Sequence, residues 1–327
     1  MADANALPPS PATPYVPRRH ALSRRIGLRS AAAPGDGPPL LDLHLLSWGE
    51  LTQASPNRPL TVLLHGWMDV AASFQFVVDA LAQDRPLVAP DWRGFGHSVA
   101  APTDGYHFAD YLADLDALLD ALSPDAPVDL VGHSMGGNVA MLYSGVRPER
   151  VRRLVNLEGF GMPSTRPEQA PGRYARWLDE LRQPAQLRGY DSLDAVARRL
   201  RLNNPRISAD KAQWLAGHWS RHDPASGEWR LLADPAHKRA NPVLARQDEM
   251  LACWRRIAAP VLWVEGAQTR VLTQWGEGYP RSEFEARIAQ VPQVQRLLLE
   301  DCGHMLHHDQ PQAVARAIEA FLDDPAP

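Results

Sequence analysis

Cysteine is scarce in this chain: Cys253 and Cys302 are its only two, far apart in 327 residues. That count excludes a disulfide-stapled scaffold and suits a reducing compartment, so a cytoplasmic location is expected. Long apolar runs are missing too. Nothing approaches the roughly 20 residues that cross a membrane, and no membrane partner is expected. The N-terminus has Asp3, several prolines and no apolar segment, so it does not read as a secretory signal. Neither sign of charge dominates. The formal net charge is -4, both signs are spread along the chain, and no basic stripe points to nucleic acid. Internal repeats are absent. What is present is 45% hydrophobic residues, thirty prolines and ten tryptophans. The length allows one large domain with an insertion, or two domains.

Residues 1–17 are rich in Pro and Ala and lack periodicity, which predicts a flexible extension. Residues 18–29 carry Arg18, Arg19, Arg24 and Arg25 among apolar residues and read as an edge strand with a solvated face. A Gly-Asp-Gly-Pro-Pro turn falls within 31–39. Strands are expected at 40–51, 60–64, 86–90, 128–131, 151–157, 260–266 and 294–299. Helical spacing covers 74–81, 106–122, 135–146, 284–289 and 312–322. Strand and helix alternate up to residue 157. That order predicts an α/β fold with a mostly parallel sheet and helices on both faces. The alternation breaks between 162 and 256, where amphipathic segments at 174–181, 192–202, 209–220 and 242–256 predict a mostly helical insertion. The core is then 18–161 and 257–327.

Gly132-His133-Ser134-Met135-Gly136 sits between an apolar strand and a helix-compatible segment. A tight strand-to-helix reversal crowds its neighbours, so small residues two before and two after the serine fit the turn. The serine hydroxyl is then exposed above the sheet edge, at a helix N-terminus. A hydroxyl is a poor nucleophile at neutral pH and needs a base, an acid to orient that base, and donors for an oxyanion. Candidates for each lie at the C-terminal ends of expected strands, where parallel α/β sheets bind ligands. His304 follows the last strand and is the candidate base. The backbone N–H groups of Trp67 and Met135 are the candidate oxyanion donors, and His65 braces the loop beside Trp67. A metal reading of His304, His307 and His308 has no carboxylate or cysteine set of matching spacing. His307 and His308 read as capping or surface residues, and no metal or organic cofactor is expected. Asp91 and Arg93 read as a structural pair near the site mouth, and His237-Lys238-Arg239 as solvated helix-end residues.

With Leu64-His65-Gly66-Trp67, Asp91 to Ser98, the serine motif and Gly303-His304 in this order, the chain resembles an α/β-hydrolase fold enzyme. Within that superfamily it is most similar to the serine-hydrolase-like group. The resemblance spans about 40–322 outside the insertion. It implies a Ser-acid-His triad, an oxyanion hole at Trp67 and Met135, and a helical cap at 162–256.

The family's usual acid follows the strand after the cap, near Thr269, and no aspartate stands there. Glu158, at the end of the strand beside the elbow strand, is the candidate acid. Its position resembles that of the acid in haloalkane dehalogenases and their relatives. Asp301 and Glu265 are the fallback acids. A serine nucleophile argues against the dehalogenase and epoxide-hydrolase branches, which use aspartate. The expected function is hydrolysis of small or medium acyl esters, with a small-molecule partner. Carbon–carbon bond hydrolysis of diketone-like substrates, or non-catalytic binding of a small ligand, are the alternatives. Sequence leaves the oligomeric state open.

Overall fold

The computed structural model describes residues 14–28 and 41–324. The turn expected within 31–39 and residues 1–13 of the expected extension lie outside them. Within the remainder of that extension, the Tyr15 ring packs edge-on to Phe76 and Trp214, at 5.2 and 5.4 Å between centroids.

The main sheet runs in the order Leu22–Leu28, Leu41–Trp48, Leu87–Pro90, Thr61–Leu64, Val128–His133, Val151–Leu157, Val261–Gly266, Val294–Leu299. The first two strands pair antiparallel, and Leu41–Trp48 is also antiparallel to Leu87–Pro90. Every later pairing is parallel. The short strand Val99–Ala100 pairs with Leu41–Trp48 off this path. This is the α/β architecture expected from the sequence, a mostly parallel sheet with helices covering both faces. The central strands read as continuous apolar runs because both faces are buried. Successive side chains alternate between the two faces. Val62, Leu64, Leu130, Leu154, Val261 and Trp263 enter one core, while Leu63, Val131, Val155, Leu262 and Val264 enter the other. Helices Phe108–Leu122, Met135–Val146 and Arg281–Ile288 feed the first core. Helix Pro311–Leu322 and the short Gln75–Val78 feed the second.

The segment 162–256 holds helices Ala170–Leu181, Leu193–Asn203, Ala209–Trp219 and Gln247–Trp254. It also holds a small antiparallel sheet of Gly189–Tyr190, Trp229–Leu231 and Ser220–His222, where sequence gave no strand. Strands of two and three residues are too short to display an alternation. The aromatic Trp229, opposite both Tyr190 and His222, is the residue that joins them. This segment is fastened to the loop after Leu87–Pro90. Phe95 bridges Ala233, Gly96 N–H donates to Leu232 C=O at 2.7 Å, and Asp234 N–H to Gly94 C=O at 2.7 Å.

Three local readings need correction. Arg93 does not pair with Asp91; it donates to Asp114 and lies 3.6 Å from Asp110. Asp91 instead pairs with His44 at 2.8 Å and accepts from the N–H groups of Ala71 and His97. A carboxylate buried among donors binds whatever the fold brings to it, which sequence proximity does not specify. His307 and His308 are buried rather than superficial, on the short helix Leu306–Asp309. His237 is likewise no solvated helix end. Its ring is stacked between Phe95 and Tyr106, 3.8 Å from each.

Candidate active site

Ser134 sits at the strand-to-helix reversal with φ 50° and ψ -113°. Its N–H donates to the Leu157 carbonyl of the neighbouring strand at 2.9 Å, and its carbonyl accepts from Asn138 N–H at 3.0 Å. The flanking glycines are required by distance. A Cβ on Gly132 would fall 2.5 Å from the Gly136 carbonyl oxygen, and one on Gly136 would fall 2.1 Å from that of Leu64. The elbow helix is pressed against the strand that carries the candidate oxyanion loop, and only hydrogen fits between them.

His304 Nε2 lies 3.0 Å from Ser134 Oγ, and its Nδ1 lies 2.7 Å from Glu158 Oε2. The remaining contacts of that carboxylate account for its burial at 1% exposure. Oε1 accepts from the Gly266 N–H at 2.8 Å, and Oε2 accepts from the Thr269 hydroxyl at 2.7 Å. A buried carboxylate with both oxygens engaged is fixed in direction. Glu158 takes a left-handed backbone, φ 57°. Asn156 holds the turn through its Oδ1, which accepts from Gly159 N–H at 2.7 Å, and Asn138 Oδ1 accepts from Gly161 N–H at 2.8 Å.

The fallback acids lie elsewhere. Asp301 is exposed, with its Oδ1 accepting from Gln268 at 3.2 Å. Glu265 is buried, and Arg281 binds it from one side with Arg296 4.0 Å away. Neither has a hydrogen bond to His304.

The loop after Thr61–Leu64 carries Gly66, Trp67 and Met68. His65 braces it, donating through Nδ1 to the Gly66 carbonyl and accepting from Trp92 N–H through Nε2 at 3.0 Å. Trp67 N–H and Met135 N–H have no hydrogen-bond partner among the described residues. Met68, Ser134, Glu158 and Asp301 are the non-glycine residues with positive φ among the described residues. All four border the strand ends that converge here, and strained backbone of this kind collects at working sites.

Thr269, Asn156 and His133 escaped the reading of the sequence. Thr269 occupies the place where an aspartate was sought, and its hydroxyl donates to Glu158. Asn156, a buried polar residue in an apolar strand, was a usable signal. His133, the variable residue of the serine motif, donates through Nε2 to the His304 carbonyl at 2.8 Å.

These groups open into a cavity of about 1070 Å³. Trp67, Ser134 and His304 form its floor, Leu200, Ile207 and Trp219 come from the segment 162–256, and Arg270 and Val271 from the loop after Val261–Gly266. The surface is both apolar and polar, as is usual for a small-molecule site.

A model of the alpha/beta hydrolase fold family matches residues 59–311. A serine hydrolase-like protein of Dictyostelium discoideum is 25% identical over 289 residues, covering 86% of this chain and 79% of the relative. An esterase of Escherichia coli is 27% identical over 286 residues, covering 84% of this chain and 97% of the relative. The crystal structure of a hypothetical protein from Pseudomonas aeruginosa superposes with a TM-score of 0.76 at 26% identity, covering 92% of this chain and 99% of the other.

Proposed function

The chain belongs to the α/β-hydrolase fold family, and from that premise we propose that it is a serine hydrolase cleaving small or medium carboxylic esters. The observation that carries the proposal is the continuous relay Ser134 Oγ, His304 Nε2, His304 Nδ1, Glu158 Oε2, with contacts of 3.0 and 2.7 Å. The esterase named above favours the ester reading.

In this reaction Ser134 Oγ attacks the ester carbonyl carbon as its proton passes to His304 Nε2. The carbonyl π pair moves to oxygen, and the N–H groups of Trp67 and Met135 receive the oxyanion. One such donor is worth about 3–4 kcal/mol of barrier. Collapse expels the alkoxide, which takes the proton from His304. Water then attacks the acyl-enzyme, giving its proton to the same nitrogen, and Ser134 leaves with it. Glu158 orients the imidazole and stabilises its cationic form, and Thr269 and Gly266 hold Glu158. The segment 162–256 acts as a cap that supplies one wall of the acyl pocket.

A fluorophosphonate probe with peptide mapping tests this directly. Wild type labels at Ser134 and hydrolyses p-nitrophenyl esters, and Ser134→Ala does neither. An unlabelled wild type, or adduct mapped to another serine with hydrolysis intact, removes Ser134 as nucleophile.

A further inference from the structure

Behind the elbow, four imidazoles lie in a row. Ring centroids are 4.8 Å apart for His304 and His133, 4.3 Å for His133 and His307, and 4.2 Å for His307 and His308. Asp69 reaches the middle of this row from the candidate oxyanion loop. One donor atom from each of Asp69, His133 and His307 lies within 4.8 Å of the other two. All three residues are buried, at 5%, 2% and 0% exposure.

Each carries an atom without a hydrogen-bond partner among the described residues: Asp69 Oδ2, His133 Nδ1 and His307 Nδ1. Asp69 Oδ2 does face His307 Nε2, at 3.7 Å, which is too long for a hydrogen bond, so three buried polar atoms of one cluster lack a close partner among the described residues. The tautomers suit a cation. His133 must carry its proton on Nε2, because the His304 carbonyl accepts there, and its Nδ1 therefore presents a lone pair. Ser73 Oγ lies 3.0 Å from His307 Nε2 and 2.6 Å from His308 Nε2. One hydroxyl donates to only one of them, and the other donates to it. With His307 as the donor, its Nε2 proton faces Ser73 and, at 3.7 Å, Asp69 Oδ2, and its Nδ1 is a lone pair. The other oxygen of Asp69 is held by Val70 N–H at 2.9 Å. Ligands whose far atoms are anchored in this way are typical of metal centres.

We propose that Asp69, His133 and His307 form a site for a divalent transition ion of the zinc class, reached from the floor of the main cavity. Two neutral imidazoles and a carboxylate are a donor set that zinc prefers. Asp69 and His133 both line the cavity. Burial beside other imidazoles keeps His133 neutral, as a ligand must be. The trio differs from the His304, His307 and His308 set considered from sequence, because the fold adds a carboxylate from 238 residues upstream of His307, the separation of 307 and 69. A bound ion would tie the candidate oxyanion loop, the elbow and the final loop into one unit.

The test is calorimetric titration of the metal-free full chain with Zn²⁺, with a parallel Co²⁺ absorption spectrum. The expected result is one equivalent bound, a Tm that rises with free ion, and intense Co²⁺ bands of low coordination number. Asp69→Asn and His307→Gln should each weaken binding about tenfold or more, while the exposed His222→Gln should not. Absence of binding, or equal binding in both ligand variants, overturns the site. Should both variants fail to fold, the wild-type Co²⁺ spectrum decides, and a six-coordinate aqua-like spectrum overturns it. None of these readouts uses ester hydrolysis, so the outcome is independent of the proposed reaction.

Discussion

Glu158 and His304, 146 positions apart, meet in a 2.7 Å contact between Oε2 and Nδ1. The carboxylate reaches the imidazole from the strand next to the elbow strand, while the loop where an acid was sought supplies Thr269 and the Gly266 N–H to hold it. The carboxylate that meets His304 thus stands one strand away from the place where an acid was sought.

Glu158→Gln should therefore lower kcat for p-nitrophenyl ester hydrolysis by up to ~10⁴-fold, since the amide misdirects the imidazole. Asp301→Asn and Glu265→Gln should stay within a few-fold of wild type, about 1 kcal/mol of barrier. Steady-state kinetics of the three variants decides the matter. Full activity in Glu158→Gln, or a collapse in Asp301→Asn, would reassign the acid.

The second expectation concerns Thr269. Its hydroxyl and His304 Nδ1 share the same carboxylate oxygen, each at 2.7 Å. A carboxylate on residue 269 should consequently lie near Nδ1. Thr269→Asp introduced into Glu158→Gln should recover about tenfold or more of the lost kcat, or roughly 1.4 kcal/mol. A double variant no faster than Glu158→Gln would show that the two strand ends are not interchangeable.

Gly136→Ala places a methyl 2.1 Å from the Leu64 carbonyl oxygen. The elbow helix must retreat, carrying the Met135 N–H with it. Overpacking of this kind costs about 1–3 kcal/mol, so urea unfolding should shift to lower midpoint and kcat should fall together. Wild-type values for both would mean that the contact relaxes freely.

The stacked ring of His237 gives a pH expectation. Burial between Phe95 and Tyr106 pushes its pKa down to about 4 from the ordinary 6.5. The unfolded chain thus takes up this proton first. The neutral ring's contribution is complete above about pH 6.5 and is lost as pH falls toward 4, up to about 3 kcal/mol. Chemical denaturation at several pH values should show a shallower slope over this window in His237→Phe than in wild type. Identical slopes would place the titrating groups elsewhere.

Much of this was legible in local pattern. The serine motif between an apolar strand and a helix needs only nearest neighbours, and so does the alternation of strands and helices along the chain. Glu158 was legible as a candidate because parallel strands adjacent in sequence are commonly adjacent in space. The environments of Asp91, His237, His307 and His308 were not legible. Each is a polar side chain in a polar-looking stretch, and partners distant in sequence help to impose its burial, as His44 does for Asp91 from 47 positions away.

The sequence alone determined the α/β alternation, the steric demand for glycine around Ser134 and the list of groups able to do acyl chemistry, because these depend on backbone geometry and residue type. Only the tertiary structure decided which carboxylate meets His304, what holds that carboxylate, and which buried imidazoles face Asp69. Those are relations between strand ends and loops. They are fixed by sheet order and packing, to which no short window of residues has access.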